Sequence, residues 1–292
     1  MNNNLIKFRY KYSPGVSSYR DTYEEIRWDV MGCNLQCQFC WSPASNINSL
    51  EKAVLMNPEE IVLNTVNSIK NPNKTFIRFT GGEPMLYWDQ LFEVLKLFEK
   101  NKIIANIPIL FQTNGIEIGN GNADVSKFFA ETNLTYLFEL SFKGTNQEEF
   151  SLLSQKSHDL YRYQVNAFNK LNEISKVNNK VIVIAVLGIY HSSIHNAKYV
   201  FVNPENEELL FENYSKWDKD FSKIWTNANL KWVETLRMSP IGVWKNTIKR
   251  CGKDGTRILR LYDNNIRVNL NGNIIRKPDS YKYVELIVKK KL

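Results

Sequence analysis

The chain has 292 residues, enough for a full-sized core, and its 43% hydrophobic and 13% aromatic content exclude an intrinsically disordered protein. Of its four cysteines three are clustered and one is distant, which excludes a disulfide framework, and the start MNNNLIKFRYKY lacks the apolar core of a secretory signal. No apolar run is long enough to cross a bilayer, so the sequence predicts a cytoplasmic protein without a membrane span.

Short β-rich runs alternate with longer amphipathic runs from residue 25 to about residue 239. This repeating β-then-α order predicts parallel strands joined by helices. The predicted strands are residues 25–30, 75–80, 104–113, 134–142, 181–190 and 230–238.

The predicted helices lie between these strands. In the segment NPEEIVLNTVNSIK, Asn57 can cap a helix and Pro58 fits its first position. The segment WDQLFEVLKLFEK at 88–100 places its apolar residues on one helical face. Residues 147–176 and 205–225 are predicted to be helical on the same grounds.

The pattern changes after residue 240. Asn271 and Gly272 separate two alternating runs and favour a tight type I′ hairpin. Residues 249–292 contain 12 Lys or Arg against 4 Asp or Glu, which accounts for the net charge of +8. This basic tail is either a solvated surface or a docking surface for phosphates or an acidic partner.

Three cysteines lie close together in MGCNLQCQFCW, at positions 33, 37 and 40. Thiolates at this spacing have two interpretations. Cys251 could complete a four-cysteine zinc site, or three cysteines could hold a [4Fe-4S] cluster and leave one iron open to a small molecule. The loop follows the first predicted strand, at the end of a parallel sheet where α/β barrels have their active sites.

A second motif, TGGEP at residues 80–84, follows the next predicted strand. Its glycines allow a ligand to approach the backbone closely, and Glu83 can accept hydrogen bonds from an ammonium group. Both motifs are therefore expected on the same edge of the sheet.

The pair of motifs, CxxxCxxC and GGEP on successive strands, resembles the radical S-adenosylmethionine (SAM) superfamily. The resemblance implies an α/β fold, a partial (β/α)6 TIM-like barrel over residues 20–240, followed by a small basic C-terminal β-containing extension over 241–292. It also implies an enzyme that uses a [4Fe-4S] cluster and SAM, with a reductant such as ferredoxin or flavodoxin. Reductive cleavage of SAM would give a 5′-deoxyadenosyl radical that abstracts hydrogen from a substrate.

The resemblance also implies roles for individual residues. The cluster would be bound by Cys33, Cys37 and Cys40. The GGEP segment would hold the methionine amino group of SAM, and Phe39 would lie near the adenine. The GGEP residues are Gly81, Gly82, Glu83 and Pro84.

Two further segments narrow the resemblance towards glycyl-radical-activating enzymes. FQTNG ends the third predicted strand and contributes Thr113 and Asn114, and LSFKG ends the fourth. Lys143 is expected to reach the SAM carboxylate, although Ser141 stands where those enzymes usually have Asp. His191, after the fifth strand, is a second catalytic candidate at this edge of the barrel.

The substrate has alternative interpretations. An activase-like enzyme would act on a partner protein or a small metabolite. A Trp directly after the last cysteine of the motif, here Trp41, also occurs in radical enzymes that build wybutosine in transfer RNA, and this resemblance favours RNA or a nucleotide as the substrate. A non-catalytic zinc module is the alternative of another class. Downstream only Cys251 is present, so the auxiliary clusters of peptide-modifying maturases and molybdopterin-type cyclases are not expected.

Overall fold

The computed structural model describes residues 5–9, 14–19, 23–37, 40, 53–144, 146–188, 233–235, 266–268 and 274–276. Within these residues, a single mixed sheet contains eleven strands. They are β1 (Ile6–Arg9), β2 (Gly15–Tyr19), β3 (Tyr23–Val30), β4 (Ala53–Met56), β5 (Thr75–Gly81), β6 (Ile109–Thr113), β7 (Tyr136–Lys143), β8 (Val181–Gly188), β9 (Val233–Thr235), β10 (Ile266–Val268) and β11 (Ile274–Arg276).

Six α-helices connect the strands in the described part of the chain. They are α1 (Pro58–Ser68), α2 (Trp88–Lys100), α3 (Ile116–Asn120), α4 (Ser126–Glu131), α5 (Gln147–Ser154) and α6 (Tyr161–Val177). Short 3-10 helices occupy Pro72–Lys74, Pro84–Tyr87, Ile104–Asn106 and His158–Leu160. None of the helices described is long and apolar enough to span a membrane.

Strands β3, β5, β6, β7, β8 and β9 run parallel in this order and form the partial barrel. Each overlaps one of the predicted strands, so the α/β fold with its six-strand parallel core is confirmed. Parallel neighbours need a crossover connection, which is why helices follow the strands. All of these strands therefore end on the same edge of the sheet.

One face of the sheet is aromatic and packs against the helices. Phe111 stacks between Phe79 and Phe138 of the neighbouring strands, with ring centroids 5.3 and 5.4 Å apart. Phe129 of α4 meets Phe138 edge-on at 4.9 Å. The next residue of each strand points to the opposite face, where Gln112 hydrogen-bonds to both Thr80 and Glu139. At this level of the sheet, aromatic side chains therefore face the helices and polar side chains face the other way.

The helix at Asn57 begins as predicted. Asn57 accepts a hydrogen bond from the Glu60 backbone N–H at 2.8 Å, and Glu60 accepts one from the Asn57 N–H at 2.8 Å. This capping box satisfies two backbone donors at the start of α1. Helix α2 likewise buries the predicted apolar face, which comprises Leu91, Val94, Leu95 and Phe98.

Two predicted elements were wrong in part. The strand predicted at 104–113 begins only at Ile109, because the Asn101 side chain accepts from the Ile103 N–H and Ile104–Asn106 form a 3-10 turn. The helix predicted at 147–176 is two helices, α5 and α6. Gln155 ends the first in the left-handed region, with φ of 56°.

Three strands near the N-terminus were not predicted. β1 and β2 both pair antiparallel with β3, and β4 pairs antiparallel with β1. Arg9 of β1 lies 3.6 Å from Asp29 of β3 and forms a buried ion pair. The parallel core is therefore extended, within the same sheet, by antiparallel strands on its β3 side.

The C-terminal strands continue the same sheet. β10 pairs antiparallel with β9 and with β11, which confirms a β element after residue 240. Val268 opposes Ile274, whereas a two-residue turn at Asn271–Gly272 would place Val268 opposite Ile275. The residues of the predicted turn themselves lie outside the described residues. The helix predicted at 205–225 and most of the basic tail lie outside the described residues, and the division at residue 240 stays a prediction.

Candidate active site

The cysteine loop leaves the carboxyl end of β3. Its backbone is anchored at both sides, since Met31 N–H donates to the Lys7 carbonyl at 2.9 Å and Gln36 N–H donates to the Ser154 carbonyl at 3.0 Å. Cys40 N–H donates to the Cys37 carbonyl at 3.0 Å, which links these two cysteines directly. All three cysteines of this loop are free thiols and partly buried.

The thiols influence one another electrostatically. Burial and the nearby Glu83 carboxylate raise the pKa of Cys33 to about 12, with further contributions from Cys37 and Cys40. Burial raises the pKa of Cys37 to about 11, against the opposing effect of the Lys143 ammonium. Within the described ranges, no three His, Cys, Asp or Glu side chains are grouped closely enough to hold one metal ion. The loop is nevertheless a set of three thiols within electrostatic range, which is the donor chemistry of an iron–sulfur cluster.

The GGEP loop lies directly against the cysteine loop. Gly82 N–H donates to the Val30 carbonyl at 2.8 Å, and Glu83 N–H donates to the Gly32 carbonyl at 2.7 Å. A Cβ atom at position 82 would lie 1.9 Å from the Gly32 oxygen, so only glycine allows this approach. Tyr87 reinforces the contact, because its hydroxyl donates to the Met31 carbonyl at 2.7 Å. The two motifs therefore form one continuous rim at the carboxyl ends of β3 and β5.

The Glu83 side chain joins this rim to the end of β6. It is 1% exposed, and its carboxylate accepts hydrogen bonds from the Thr113 hydroxyl at 2.6 Å and the Asn114 N–H at 2.7 Å. It also accepts from the Met85 N–H at 3.0 Å, which caps the 3-10 helix that Pro84 begins. Burial raises the pKa of Glu83 to about 7, although these three hydrogen bonds and Lys143 oppose the increase.

The raised pKa of Glu83 predicts that the cluster-free protein loses stability as the pH rises from about 4.5 to about 7. In this window the folded state keeps a proton that the unfolded state releases, so the free energy of unfolding falls by at most about 1.4 kcal/mol per pH unit. Urea unfolding at several pH values measures the slope. Glu83→Gln should make the profile flatter in this window, and an unchanged slope in that variant would contradict the prediction.

The end of β7 carries Ser141 and Lys143. Lys143 is 8% exposed, and its ammonium hydrogen-bonds to the Ser141 hydroxyl. It lies close enough to Cys37 and Glu83 to oppose the increase of both pKa values. Lys143 therefore supplies positive charge where the cysteine and GGEP loops meet.

Gln164 of α6 was missed by the sequence analysis. It is fully buried, and its amide nitrogen donates to the Asn114 carbonyl at 2.6 Å and the Ser141 carbonyl at 3.0 Å. Its amide oxygen accepts from the Lys143 N–H at 3.0 Å. The signal was present, because Gln164 shares its helical face with the apolar Phe168 and Leu171. A glutamine on such a face needs buried partners, which here are the ends of β6 and β7.

The structure brings most of the predicted site residues to one edge of the sheet. These are Cys33, Cys37, Cys40, Gly81, Gly82, Glu83, Pro84, Thr113, Asn114, Ser141 and Lys143. Phe39 and His191 lie outside the described residues, as do Trp41 and Cys251. The individual roles of all these residues stay predictions.

The sequence matches the family model for the radical SAM superfamily over residues 30–197. The chain belongs to the radical SAM superfamily. It is therefore a radical SAM enzyme, and membership in this superfamily implies a [4Fe-4S] cluster and SAM as its cofactors. The three free thiols beside the GGEP loop fit that donor requirement.

Among curated radical SAM relatives, the GTP 3′,8-cyclase of Aquifex aeolicus is 30% identical over 66% of this chain and 58% of its own length. The cysteine-type anaerobic sulfatase-maturating enzyme of Clostridium perfringens is 26% identical over 70% of this chain and 58% of its own length. The 7-carboxy-7-deazaguanine synthase of Methanospirillum hungatei is 31% identical over 32% of this chain and 35% of its own length.

A solved structure of hexahistidine-tagged anSMEcpe with bound AdoMet is 22% identical, with a TM-score of 0.43, and covers 72% of this chain and 48% of that one. The chain thus spans little more than half the length of the cyclase and the maturase. None of the relatives named here is a glycyl-radical-activating enzyme.

Proposed function

We propose that this radical SAM enzyme binds its [4Fe-4S] cluster through Cys33, Cys37 and Cys40 and binds SAM along the adjoining GGEP rim. The observation that carries the proposal is the hydrogen-bonded continuity of the rim. Glu83 accepts from Thr113 and Asn114 while its own N–H donates to Gly32, so three strand ends meet beside the thiols. When bound, the cluster and SAM supply one-electron cleavage of SAM to methionine and a 5′-deoxyadenosyl radical that abstracts hydrogen from a substrate.

The side chains at this rim suit the two ends of the methionine part of SAM. A carboxylate has about four acceptor positions, and Glu83 uses three of them on protein donors, so one position is left for an ammonium group. The Lys143 ammonium, held by Ser141, is the cation that would attract the SAM carboxylate. The buried surroundings of both residues strengthen these interactions by excluding water.

The test is anaerobic reconstitution with iron and sulfide, reduction with dithionite, addition of SAM and detection of 5′-deoxyadenosine by mass spectrometry. The wild-type protein is expected to form this product. Lys143→Ala should retain its iron but bind SAM roughly ten- to a hundredfold more weakly, because a charge-assisted hydrogen bond is lost. Lys127→Ala, at an exposed position of α4, is the matched control. Stoichiometric zinc instead of iron, without product, would overturn the proposal and favour the zinc module.

The substrate class has two candidates. The activase-like candidate, with a partner protein or small metabolite as substrate, is supported by FQTNG and LSFKG at adjacent strand ends beside the cysteine loop. It predicts a transient complex with a glycyl-radical enzyme. If purified protein forms no such complex and no glycyl radical appears by electron paramagnetic resonance, this candidate fails.

The second candidate is a nucleotide or RNA. Two relatives, a GTP 3′,8-cyclase and a 7-carboxy-7-deazaguanine synthase, support it, and the polar row of Thr80, Gln112 and Glu139 offers hydrogen-bonding groups on the sheet face opposite the helices. GTP and a transfer RNA mixture are the probes. Binding of RNA should weaken steeply with salt if the basic tail contacts phosphates. If neither probe binds and neither probe speeds the formation of 5′-deoxyadenosine, this candidate is excluded.

A further inference from the structure

The side-chain amide of Asn114 links the end of β6 to the cysteine loop. Its oxygen accepts from the Ile116 N–H at 2.9 Å. Its nitrogen donates to the Asn34 side-chain oxygen at 2.7 Å and approaches the Cys33 sulfur at 3.9 Å. A primary amide has one oxygen and two N–H donors, so the bond to Ile116 requires the nitrogen to face Cys33. The orientation of Asn114 is therefore determined by its partners.

The network continues away from the thiol. The Asn34 amide nitrogen donates to one Glu117 carboxylate oxygen at 2.7 Å, and the Asn122 amide nitrogen donates to the other at 2.7 Å. Asn34 is thus bonded to a carboxylate on one side and to Asn114 on the other. Such a chain of hydrogen bonds polarises its members cooperatively and holds Asn114 in place.

The Cys33 sulfur receives a second donor from the protein, the Leu35 N–H at 3.5 Å. A protonated thiol is a weak acceptor, but a cysteine that binds metal loses its proton and becomes a stronger one. Hydrogen bonds to the sulfurs are among the groups that set the reduction potential of an iron–sulfur cluster.

We propose that Asn114 is a positioning residue that donates to the Cys33 sulfur and thereby raises the reduction potential of the cluster held by the three cysteines. This inference rests on the proposed function, since it requires a cluster at these thiols. Reduction adds one electron, taken from a one-electron donor such as ferredoxin or dithionite, and no bond is formed or broken at Asn114. The added negative charge is shared by the sulfurs, so the N–H donor stabilises the reduced form more than the oxidised form.

The test is a potentiometric titration of the reconstituted protein without SAM, followed by electron paramagnetic resonance. Asn114→Asp keeps an oxygen for the Ile116 N–H but loses both donors and adds negative charge. At a fixed potential, the ratio of reduced to oxidised cluster should fall about tenfold, a shift of about 59 mV for one electron. Asn114→Ser can still accept from Ile116 but cannot reach the sulfur, and it should shift the ratio in the same direction without added charge.

Asn106→Asp is the matched control, because Asn106 is exposed at the start of the β6 segment, at the opposite end from the thiols. Its titration should coincide with that of the wild type. An unchanged ratio in Asn114→Ser, with a cluster present, would overturn this inference and leave the proposed function intact. If Asn114→Asp does not hold a cluster, Asn114→Ser carries the test. A wild-type protein that assembles no cluster would overturn the proposed function and this inference together.

Discussion

Cys37→Ala is expected to abolish cluster assembly and, with it, the formation of 5′-deoxyadenosine. Cys37 is one of three thiols in the loop, and two thiolates cannot hold a [4Fe-4S] cluster that already lacks a fourth protein ligand. Iron and sulfide content after anaerobic reconstitution, together with the visible absorbance of the cluster, measures the loss. The fold should persist, because the cysteine loop is also anchored by backbone hydrogen bonds to Lys7 and Ser154.

Cys251→Ala provides the matched control for this prediction. This substitution removes the thiol of the one cysteine that lies outside the cysteine loop, and it should leave iron content and product formation unchanged. If Cys251→Ala instead removes the bound metal as completely as Cys37→Ala does, the four-cysteine zinc interpretation is favoured. Full activity of Cys37→Ala would contradict the assignment of the cluster to this loop.

Gly82→Ala is expected to lower the free energy of unfolding by about 3 kcal/mol and to reduce iron loading. The added methyl group would lie 1.9 Å from the Gly32 oxygen and 2.8 Å from the Gly32 carbonyl carbon, both of which are backbone atoms. The overlap can be relieved only if the GGEP and cysteine loops separate, which strains the hydrogen bonds of Glu83 and Gly82. Urea unfolding of the cluster-free protein followed by circular dichroism measures the first effect, and iron analysis measures the second.

Gly121→Ala separates this steric effect from backbone strain. Gly121 has φ of 92°, and a Cβ there would meet nothing within 4 Å. The cost should therefore be limited to the left-handed conformation, about 1 kcal/mol, with normal iron loading. A destabilisation by Gly82→Ala no larger than that by Gly121→Ala would contradict the prediction.

The parallel core could be predicted because its signals are local. Strands such as β7 are short runs in which apolar and aromatic residues predominate, and helices such as α1 and α2 show their caps or apolar faces in the sequence. The location of the site could be predicted from the same pattern, because parallel strands place their carboxyl ends together at one edge of the sheet. The cysteine and GGEP motifs lie at successive strand ends, so their meeting required no further information.

The remaining features depend on pairing between distant residues. β1, β2 and β4 are short, and their antiparallel pairing with the β3 side of the sheet has no signature in their own sequences. The turn at Ile104–Asn106 is decided by Asn101, whose side chain competes for backbone N–H groups in a run that otherwise reads as apolar. Gln164 and Asn34 acquire their roles only when α6 and the cysteine loop reach the end of β6.

The three hydrogen bonds that Glu83 accepts have a consequence for the thermodynamics of binding. They fix the rotamer of this side chain and the path of two loops through groups of the chain itself. A molecule that reaches this rim would not have to order these groups, and ordering one such side chain costs roughly 0.5–1.5 kcal/mol. The conformational entropy of the rim is lost during folding of the chain. Affinity at this edge should therefore depend mainly on the direct contacts that the molecule makes.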